Sequence, residues 1–582
     1  MANSRLKKLG SYLRPHWQRV LLGVVALFLV NALGVYIPLV IRDTIDQLQD
    51  LSSINQLWRY VLPIVVLASI MFAIRLSSRV LLFGTGRQVE FDLKQKVFQH
   101  LLKLEPAYFE VNNSGDLINR STSDLDNIRR LVGFAVLSIV NTVFAYGLTL
   151  PVMLTINTRL SLLALAVYPL MLITVQLFSG KLREEQQSVQ EKLSDLSRLI
   201  QEDMSGMSLI KIYAQEGNER HAFQEKNRRL LAANLSLART RNLLFPIVEG
   251  ISYTSLLVLL ALGAGALESG TISVGNFVAL LIYIERLVFP TALLGFTITA
   301  YQRGEVSIER LEEILGVKPK IADTPKVMAL PLEHVRGKLE ANELTYSYPG
   351  SKSLALKQLE FTIQPGETVA IVGPIGSGKS TLANAIPRLL DLKPGQLFLD
   401  GYDLTQVRLT DLRGAIAYVP QDSFLFSTTV ENNIRYGDPL REHSEVEYAA
   451  KQAQIHQEIL NFPQQYQTVV GERGITLSGG QRQRTSLARA LLVDAPILIL
   501  DDALSSVDNQ TATQILGNLA TGVKRKTVIF ISHQLSAAAT ADRILVMDQG
   551  EIVQAGTHSE LLSQTGLYRS LWERHQLEEV LQ

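Results

Sequence analysis

The chain of 582 residues contains no cysteine. Disulfides and thiol chemistry are thereby excluded, although the compartment is not fixed by this alone. It also lacks an excess of either charge. Its 56 basic and 55 acidic residues leave a formal net charge of +1, so no global field points to nucleic acid as a partner. Charged residues make up only 19% of the chain, hydrophobic ones 47%, and mean hydropathy is +0.16, high for a wholly soluble protein. At this length several domains are expected.

The apolar residues are concentrated in the first half. Six runs stand out: 17–41, 57–83, 131–156, 160–178, 244–267 and 274–300. Each approximates the ~20 residues a membrane-spanning helix needs. Six such runs with few charges are too many for the core of one soluble globule. The first run follows Arg5, Lys7, Lys8 and Arg14, which resembles the basic start of a signal peptide. It is too long for one and no small-x-small cleavage site closes it, so it reads as retained. Residues 1–16 are expected to lie as an amphipathic helix in the membrane interface. Two long polar stretches, after the second and fourth runs, carry most of the Lys and Arg of this half, whereas the other connections are short and poor in them. Positive charge marks the cytoplasmic side, which places both termini and the two long loops inside. The helical spacing of "QSVQEKLSDLSRLIQEDM" predicts that these loops continue the spans as helices.

The character changes after a proline-rich and charged stretch from Gly316 to Lys338. The expected division is a membrane domain over 17–303, a linker over 304–337, an α/β domain with a largely parallel sheet over 338–573 and a tail over 574–582. The fold class is thus a six-helix membrane bundle followed by an α/β domain, which the glycine-rich "GPIGSGKST" within it identifies as a P-loop NTPase.

The P-loop is "VAIVGPIGSGKST". An apolar run, Val369 to Val372, precedes Gly373, Gly378, Lys379 and Ser380 in the spacing G-x-x-x-x-G-K-S. Glycines let backbone N–H groups curl around phosphate oxygens, Lys379 supplies a point charge at the β/γ-phosphates, and the Ser380 hydroxyl can ligate Mg²⁺. Pro374, Ile375, Gly376, Ser377 and Thr381 complete the expected ATP-binding loop. A second apolar run, "ILILDD", ends on Asp501 and Asp502, and a third, "VIFISH", on His533. Asp501 fits the strand-end aspartate that helps hold Mg²⁺ in P-loop NTPases. Between them lies "LSGGQRQR". The helix that follows would present Ser478, Gly479 and Gly480 as a second anion site, which one nucleotide does not need. The arrangement makes sense if that site caps a nucleotide held by another domain.

In this order the P-loop, "LSGGQ", "ILILDD" and "ISH" resemble the ATP-binding cassette of ABC transporters. "TYSYPG" resembles the loop whose aromatic, here Tyr348, stacks on adenine. "YVPQDSFLF" resembles the Q-loop and puts Gln421 near Mg²⁺ and the attacking water. "VGERG" resembles the exporter loop ahead of the signature, and "SSVD" the D-loop, ending in Asp508. Upstream, "YFEVNNSGDLINRSTSDLDNIR" and "GMSLIKIYAQEGNER" resemble the two coupling loops of exporter half-transporters. The resemblance covers nearly the whole chain. It implies ATP and Mg²⁺ as cofactors, Ser380, Gln421 and Asp501 around the metal, Asp502, Gln421 and His533 in catalysis, and Leu477, Ser478, Gly479, Gly480 and Gln481 acting on a partner's nucleotide.

One residue departs from that family's pattern. Where it normally has a Glu that orients or deprotonates water, this chain has Asp502. The carboxylate is drawn back by roughly 1.5 Å, and a misplacement of about 1 Å can cost ~10²-fold in rate. The chain is expected to bind ATP well and hydrolyse it slowly, like the degenerate half of heterodimeric bacterial exporters; the alternative is a tolerated swap with a compensating loop shift. One cassette and six spans require a second half-transporter in either case. The leading function is ATP-driven export of a hydrophobic or amphipathic small molecule across a bacterial inner membrane. A lipid flippase with the same motor comes second, and an ATP-gated channel or regulatory subunit third. Among the charges inside the spans, Glu249, Glu285 and Arg286 are candidates for a substrate cavity, Arg75 is read as an ion-paired or interfacial residue, and Pro290 as a candidate kink.

Overall fold

The computed structural model describes residues 2–581 except 48–53, 326, 352, 472–473, 475, 506, 508 and 521–525. The chain forms two compact units, Met1–Leu102 with Ser114–Val317, and Lys103–Asn113 with Lys318–Gln582.

The first unit is helical. Among the described residues six helices are long and apolar enough to cross a membrane: Trp17–Gln47, Ile54–Leu101, Ser114–Ile156, Thr158–Ser205, Glu216–Glu268 and Val274–Gly316. The fifth has 53 residues. At about 1.5 Å per residue it is about 80 Å long, far more than a hydrocarbon core of about 30 Å. The polar stretches are therefore helical continuations of the spans, as their spacing predicts. The third helix contains two π-helical turns, Arg120–Asp124 and Leu131–Ala135.

The sixth helix runs on through Pro290 and past the expected end of the membrane domain at 303. Residues 304–316 are thus helix rather than linker. The reason is an apolar stripe that still has something to cover: Ile308 and Leu311 are buried with Val89, Val97, Leu125 and Ile128. The same cluster receives Leu9, Tyr12 and Leu13 from the helix Ala2–Leu13, so one face of the N-terminal segment meets protein. Tyr12 and Lys8 both bond Glu312. Just beyond, the third and sixth helices are clipped together. Buried Asp124 accepts from Ser307 Oγ at 2.7 Å and pairs with Arg310 at 3.1 Å, while Arg120 bridges Asp116 at 2.7 Å and Glu313 at 2.9 Å. Asp116 and Asp124 belong to the first coupling-loop motif, whose short helix Pro106–Val111 groups with the second unit.

The second unit contains two sheets. One has the order β2-β1-β4-β5. Its strands are β1 Leu339–Tyr346, β2 Leu356–Ile363, β4 Leu397–Leu399 and β5 Tyr402–Asp403, all antiparallel. Nothing in the residue pattern singles out this second sheet beyond a mixed alternation. The other has the order β10-β9-β3-β8-β7-β6. Here β3 is Thr368–Val372, β6 Ile416–Val419, β7 Ile497–Asp501, β8 Thr527–Ile531, β9 Arg543–Asp548 and β10 Glu551–Gly556. Five strands are parallel and β10 closes one edge antiparallel. β7 and β8 are buried along their whole length, which is why they read as unbroken apolar runs rather than alternating ones.

Candidate nucleotide-binding site

Open parallel sheets bind ligands beyond the carboxyl ends of their strands. Four of those ends meet here. β3 leads into the P-loop, β6 into Gln421, β7 into Asp501 and Asp502, and β8 into His533. They surround one cavity of about 750 Å³, lined by Tyr348, Ile375, Gly376, Ser377, Gly378, Lys379, Ser380, Thr381, Gln421, Asp501, Asp502 and His533 among others. Gly373 and Pro374 form the back of the loop and do not line the space.

Glycine is required at both ends of that loop. Gly373 (φ +150°) and Gly378 (φ +97°) sit where a Cβ would fall 2.0 Å from the Met547 carbonyl and 2.7 Å from the Ala355 carbonyl. Lys379 folds back over the loop, its Nζ donating to the carbonyls of Gly373 at 2.9 Å and Pro374 at 2.7 Å. Burial lowers its pKa, opposed by Asp502 and Asp501. An ammonium held by loop carbonyls in a tight backbone cradle fits a phosphate chain.

Two of the three expected metal ligands touch each other. Ser380 Oγ donates to Asp501 Oδ1 at 2.9 Å, and the Tyr418 hydroxyl donates to Asp501 Oδ2 at 3.3 Å. Asp501 is buried, which raises its pKa; the bonds from Ser380 and Tyr418 oppose the rise. A buried carboxylate beside a hydroxyl, with nothing but neutral partners on its two oxygens, suits a divalent cation. Asp502 is also pushed up by burial, with His533 the first of several neighbours working against it. Its backbone takes φ +50°, a region aspartate tolerates better than most residues. Tyr348 is half-buried at the rim, its hydroxyl 3.2 Å from Thr381 Oγ1 and its ring edge-on to Tyr346 at 5.2 Å.

The signature residues are elsewhere. None of Leu477, Ser478, Gly479, Gly480 and Gln481 lines this cavity. Ser478 caps the helix Gly479–Leu492 in a reciprocal box: its Oγ accepts from the Gln481 N–H at 3.2 Å, and Gln481 Oε1 accepts from the Ser478 N–H at 2.9 Å. At the capped end Ser478 is exposed, while Gly479 and Gly480 are half-buried. Gln483 ties the same helix to the end of β7, donating to Ser505 Oγ at 3.0 Å. Asp508, and Glu472 and Arg473 of "VGERG", lie outside the described residues.

In the first unit a cavity of about 690 Å³ brings Glu285 and Arg286 together. Glu249 is not part of its lining; it accepts from the Tyr253 hydroxyl at 2.9 Å on its own helix. Arg75, read from sequence as ion-paired or interfacial, lines the cavity and has no ion pair among the described residues.

Sequence reasoning missed Tyr418. It stands inside the "YVPQ" stretch, but only the strand register turns its hydroxyl onto Asp501. It also missed Arg79, which lines the membrane cavity one turn after Arg75.

A P-loop site at the carboxyl edge of a parallel sheet, carried on a chain with six membrane-length helices, defines an ATP-hydrolysing membrane transporter. The comparisons with known proteins agree. Residues 20–291 match the family described as "ABC transporter transmembrane region", and residues 356–505 the one described as "ABC transporter". The chain is 34% identical over 576 residues to the "Probable multidrug resistance ABC transporter ATP-binding/permease protein YheI" of Bacillus subtilis (strain 168), covering 99% of this chain and 98% of that one. It is 32% identical over 572 residues to the "ATP-dependent lipid A-core flippase" of Syntrophus aciditrophicus (strain SB), covering 98% and 94%. Among solved structures, a bacterial Atm1-family ABC exporter with ATP bound superposes with a TM-score of 0.77 at 26% identity, covering 96% of this chain and 99% of that one. The chain belongs to the ABC transporter family, with the fused membrane and ATPase domains of its exporters.

Proposed function

We propose that this chain is one half of a dimeric ATP-driven exporter and the subunit whose own nucleotide site is slow. The observation that carries the reading is the separation of two half-sites on one unit. The cavity at the strand ends gathers Tyr348, Lys379, Ser380, Gln421, Asp501, Asp502 and His533, while the capped signature helix opens elsewhere onto solvent. The Ser478 hydroxyl and the backbone N–H groups of Gly479 and Gly480 then need another chain's phosphate to act on. A second exposed surface supports a partner: Leu209, Ile212 and Tyr213, in and beside the short helix Met207–Ile212, are 60%, 72% and 69% exposed.

Within the site, Tyr348 would stack on adenine, the P-loop amides and Lys379 would bind the β/γ-phosphates, and Ser380, Gln421 and Asp501 would hold Mg²⁺, which when bound would supply charge neutralisation at the transferred phosphoryl group. His533 and Gln421 position water. Asp502 falls short of it by about one methylene, roughly 1.5 Å, which is enough to slow proton abstraction. The intact signature serves the partner's competent site, so a heterodimer whose other chain carries Glu at the position of Asp502 fits better than a homodimer. The two Lys- and Arg-rich stretches support a cytoplasmic side for both termini and the nucleotide-binding unit, in a bacterial inner membrane.

Relatives named as multidrug exporters and as a lipid A-core flippase share this architecture, so small-molecule export and lipid flipping are both open to it. ATP-dependent uphill accumulation of a dye in inside-out vesicles, measured beside flipping of a fluorescent lipid, separates them. A conductance without accumulation of either would indicate a channel instead.

A further inference from the structure

The membrane cavity holds more positive charge than the protein itself neutralises. Arg75 and Arg79 of the second span and Arg286 of the sixth face the same space, and Glu285 is the one carboxylate in its lining. Among the described residues none of these four forms an ion pair. Arg286 lies twelve residues into its helix, about 18 Å along the axis and well inside a hydrocarbon core of about 30 Å. Its guanidinium is laid directly on the first span. A Cβ at Gly34 would fall 1.6 Å from Arg286 Nη1, and Nη2 reaches the backbone and side-chain oxygens of Asn31 at 3.3 Å each. Its Nε is buried with no hydrogen-bond partner. The group is thus fixed in orientation while its charge is left uncompensated. Among the described residues Arg75 has only the Met71 sulfur as a side-chain hydrogen-bond partner, at 3.7 Å. Charges at such depth are costly and face cavities where they meet counter-charge. Phe83, Phe134 and Phe289 give the same space an apolar wall.

We infer that this cavity selects an amphipathic anion, its phosphate, sulfonate or carboxylate head against the three guanidiniums and its apolar body against the phenylalanines. The inference rests on the exporter reading and names its substrate class. Arginine matches such head groups through paired N–H donors. The head group can arrive on a membrane lipid or on a molecule from the cytoplasm.

The test is equilibrium binding to the assembled, nucleotide-free transporter in nanodiscs of zwitterionic lipid. Four fluorescent probes are compared: an NBD-labelled phosphatidylglycerol, the same label on phosphatidylcholine, a water-soluble pyrene sulfonate, and the cation rhodamine 6G. At least one of the two anions is expected to bind about tenfold or more tightly than phosphatidylcholine and the cation, the order of one charge-assisted hydrogen bond. Binding of phosphatidylglycerol alone identifies the bilayer as the source; binding of the sulfonate identifies the aqueous phase. Because Arg286 also anchors the first span, Arg75→Gln and Arg79→Gln are the informative variants. Each should weaken anion binding about tenfold, and Arg75→Lys, which keeps the charge but loses the paired N–H donors, should fall between the parent and Arg75→Gln. Rhodamine binding as tight as either anion, or a double variant R75Q/R79Q within twofold of the parent, overturns the inference. ATP-driven transport that persists alongside such a result leaves the exporter reading standing. Failure to transport any probe with ATP defeats that reading instead.

Discussion

Replacing Lys379 with alanine tests how the P-loop holds phosphate. The side chain is 6% exposed and its ammonium donates to the Gly373 and Pro374 carbonyls, at 2.9 and 2.7 Å. Those carbonyls keep the ammonium over the hollow of the loop, so its charge is in place before nucleotide arrives. Charge-assisted hydrogen bonds are worth about 1.5–3 kcal/mol. Removing one such bond to the β/γ-phosphates therefore weakens binding by roughly 10- to 150-fold, at about 1.4 kcal/mol per factor of ten. The assay is equilibrium binding of a fluorescent ATP analogue to the purified Lys379→Ala protein, with its thermal midpoint measured in parallel. An affinity within threefold of the parent at an unchanged midpoint refutes the placement of phosphate beside Lys379. A lowered midpoint would locate part of the effect in the two stranded carbonyls, and Lys379→Arg, which keeps the charge, separates the two contributions.

Three further outcomes follow from the same geometry. Ser478→Ala or Gly479→Asp should impair turnover of the nucleotide held by the partner and spare the one in this chain's P-loop, as site-resolved nucleotide trapping in the assembled dimer would reveal; loss confined to this chain's own nucleotide rules out the head-to-tail arrangement. In the physiological complex Asp502→Ala should scarcely change steady-state ATPase activity, whereas Asp502→Glu should raise hydrolysis at this site by up to ~10²-fold if reach is its only defect; no rise places the impairment elsewhere. Asp124→Ala strips Ser307 and Arg310 of a buried acceptor and should destabilise the helical unit by about 1–3 kcal/mol, seen as a lower thermal midpoint in detergent. An unchanged midpoint would mean the clip between the third and sixth helices contributes nothing.

That the candidate site's residues share one cavity was legible because their motifs are written in contiguous stretches. "GPIGSGKST", "ILILDD" and "ISH" each end a strand, and parallel neighbours carry those ends to one edge whatever lies between. The six spans were legible because hydrocarbon demands length and apolarity, both read directly from sequence. What escaped depends on facing and distance. Tyr418 reaches Asp501 only through the register that pairs it with Ile499. Residues 304–316 carry enough charge to suggest a linker, and only the partner surface of Val89, Val97 and Leu125 turns Ile308 and Leu311 into a buried stripe. Arg75 and Arg286 are far apart in sequence; that they share one cavity with Arg79, with Glu249 outside it, is a consequence of helix rotation that no local pattern encodes.

The most direct test of the slow-site account is the steady-state ATPase rate of the purified chain, reconstituted in lipid without any other half-transporter. The account predicts saturable ATP binding with slow turnover or none, and a gain on adding a half-transporter that carries Glu at the position of Asp502. Fast turnover by the chain alone, abolished by Asp502→Ala, would make Asp502 a working base and the protein a homodimeric exporter.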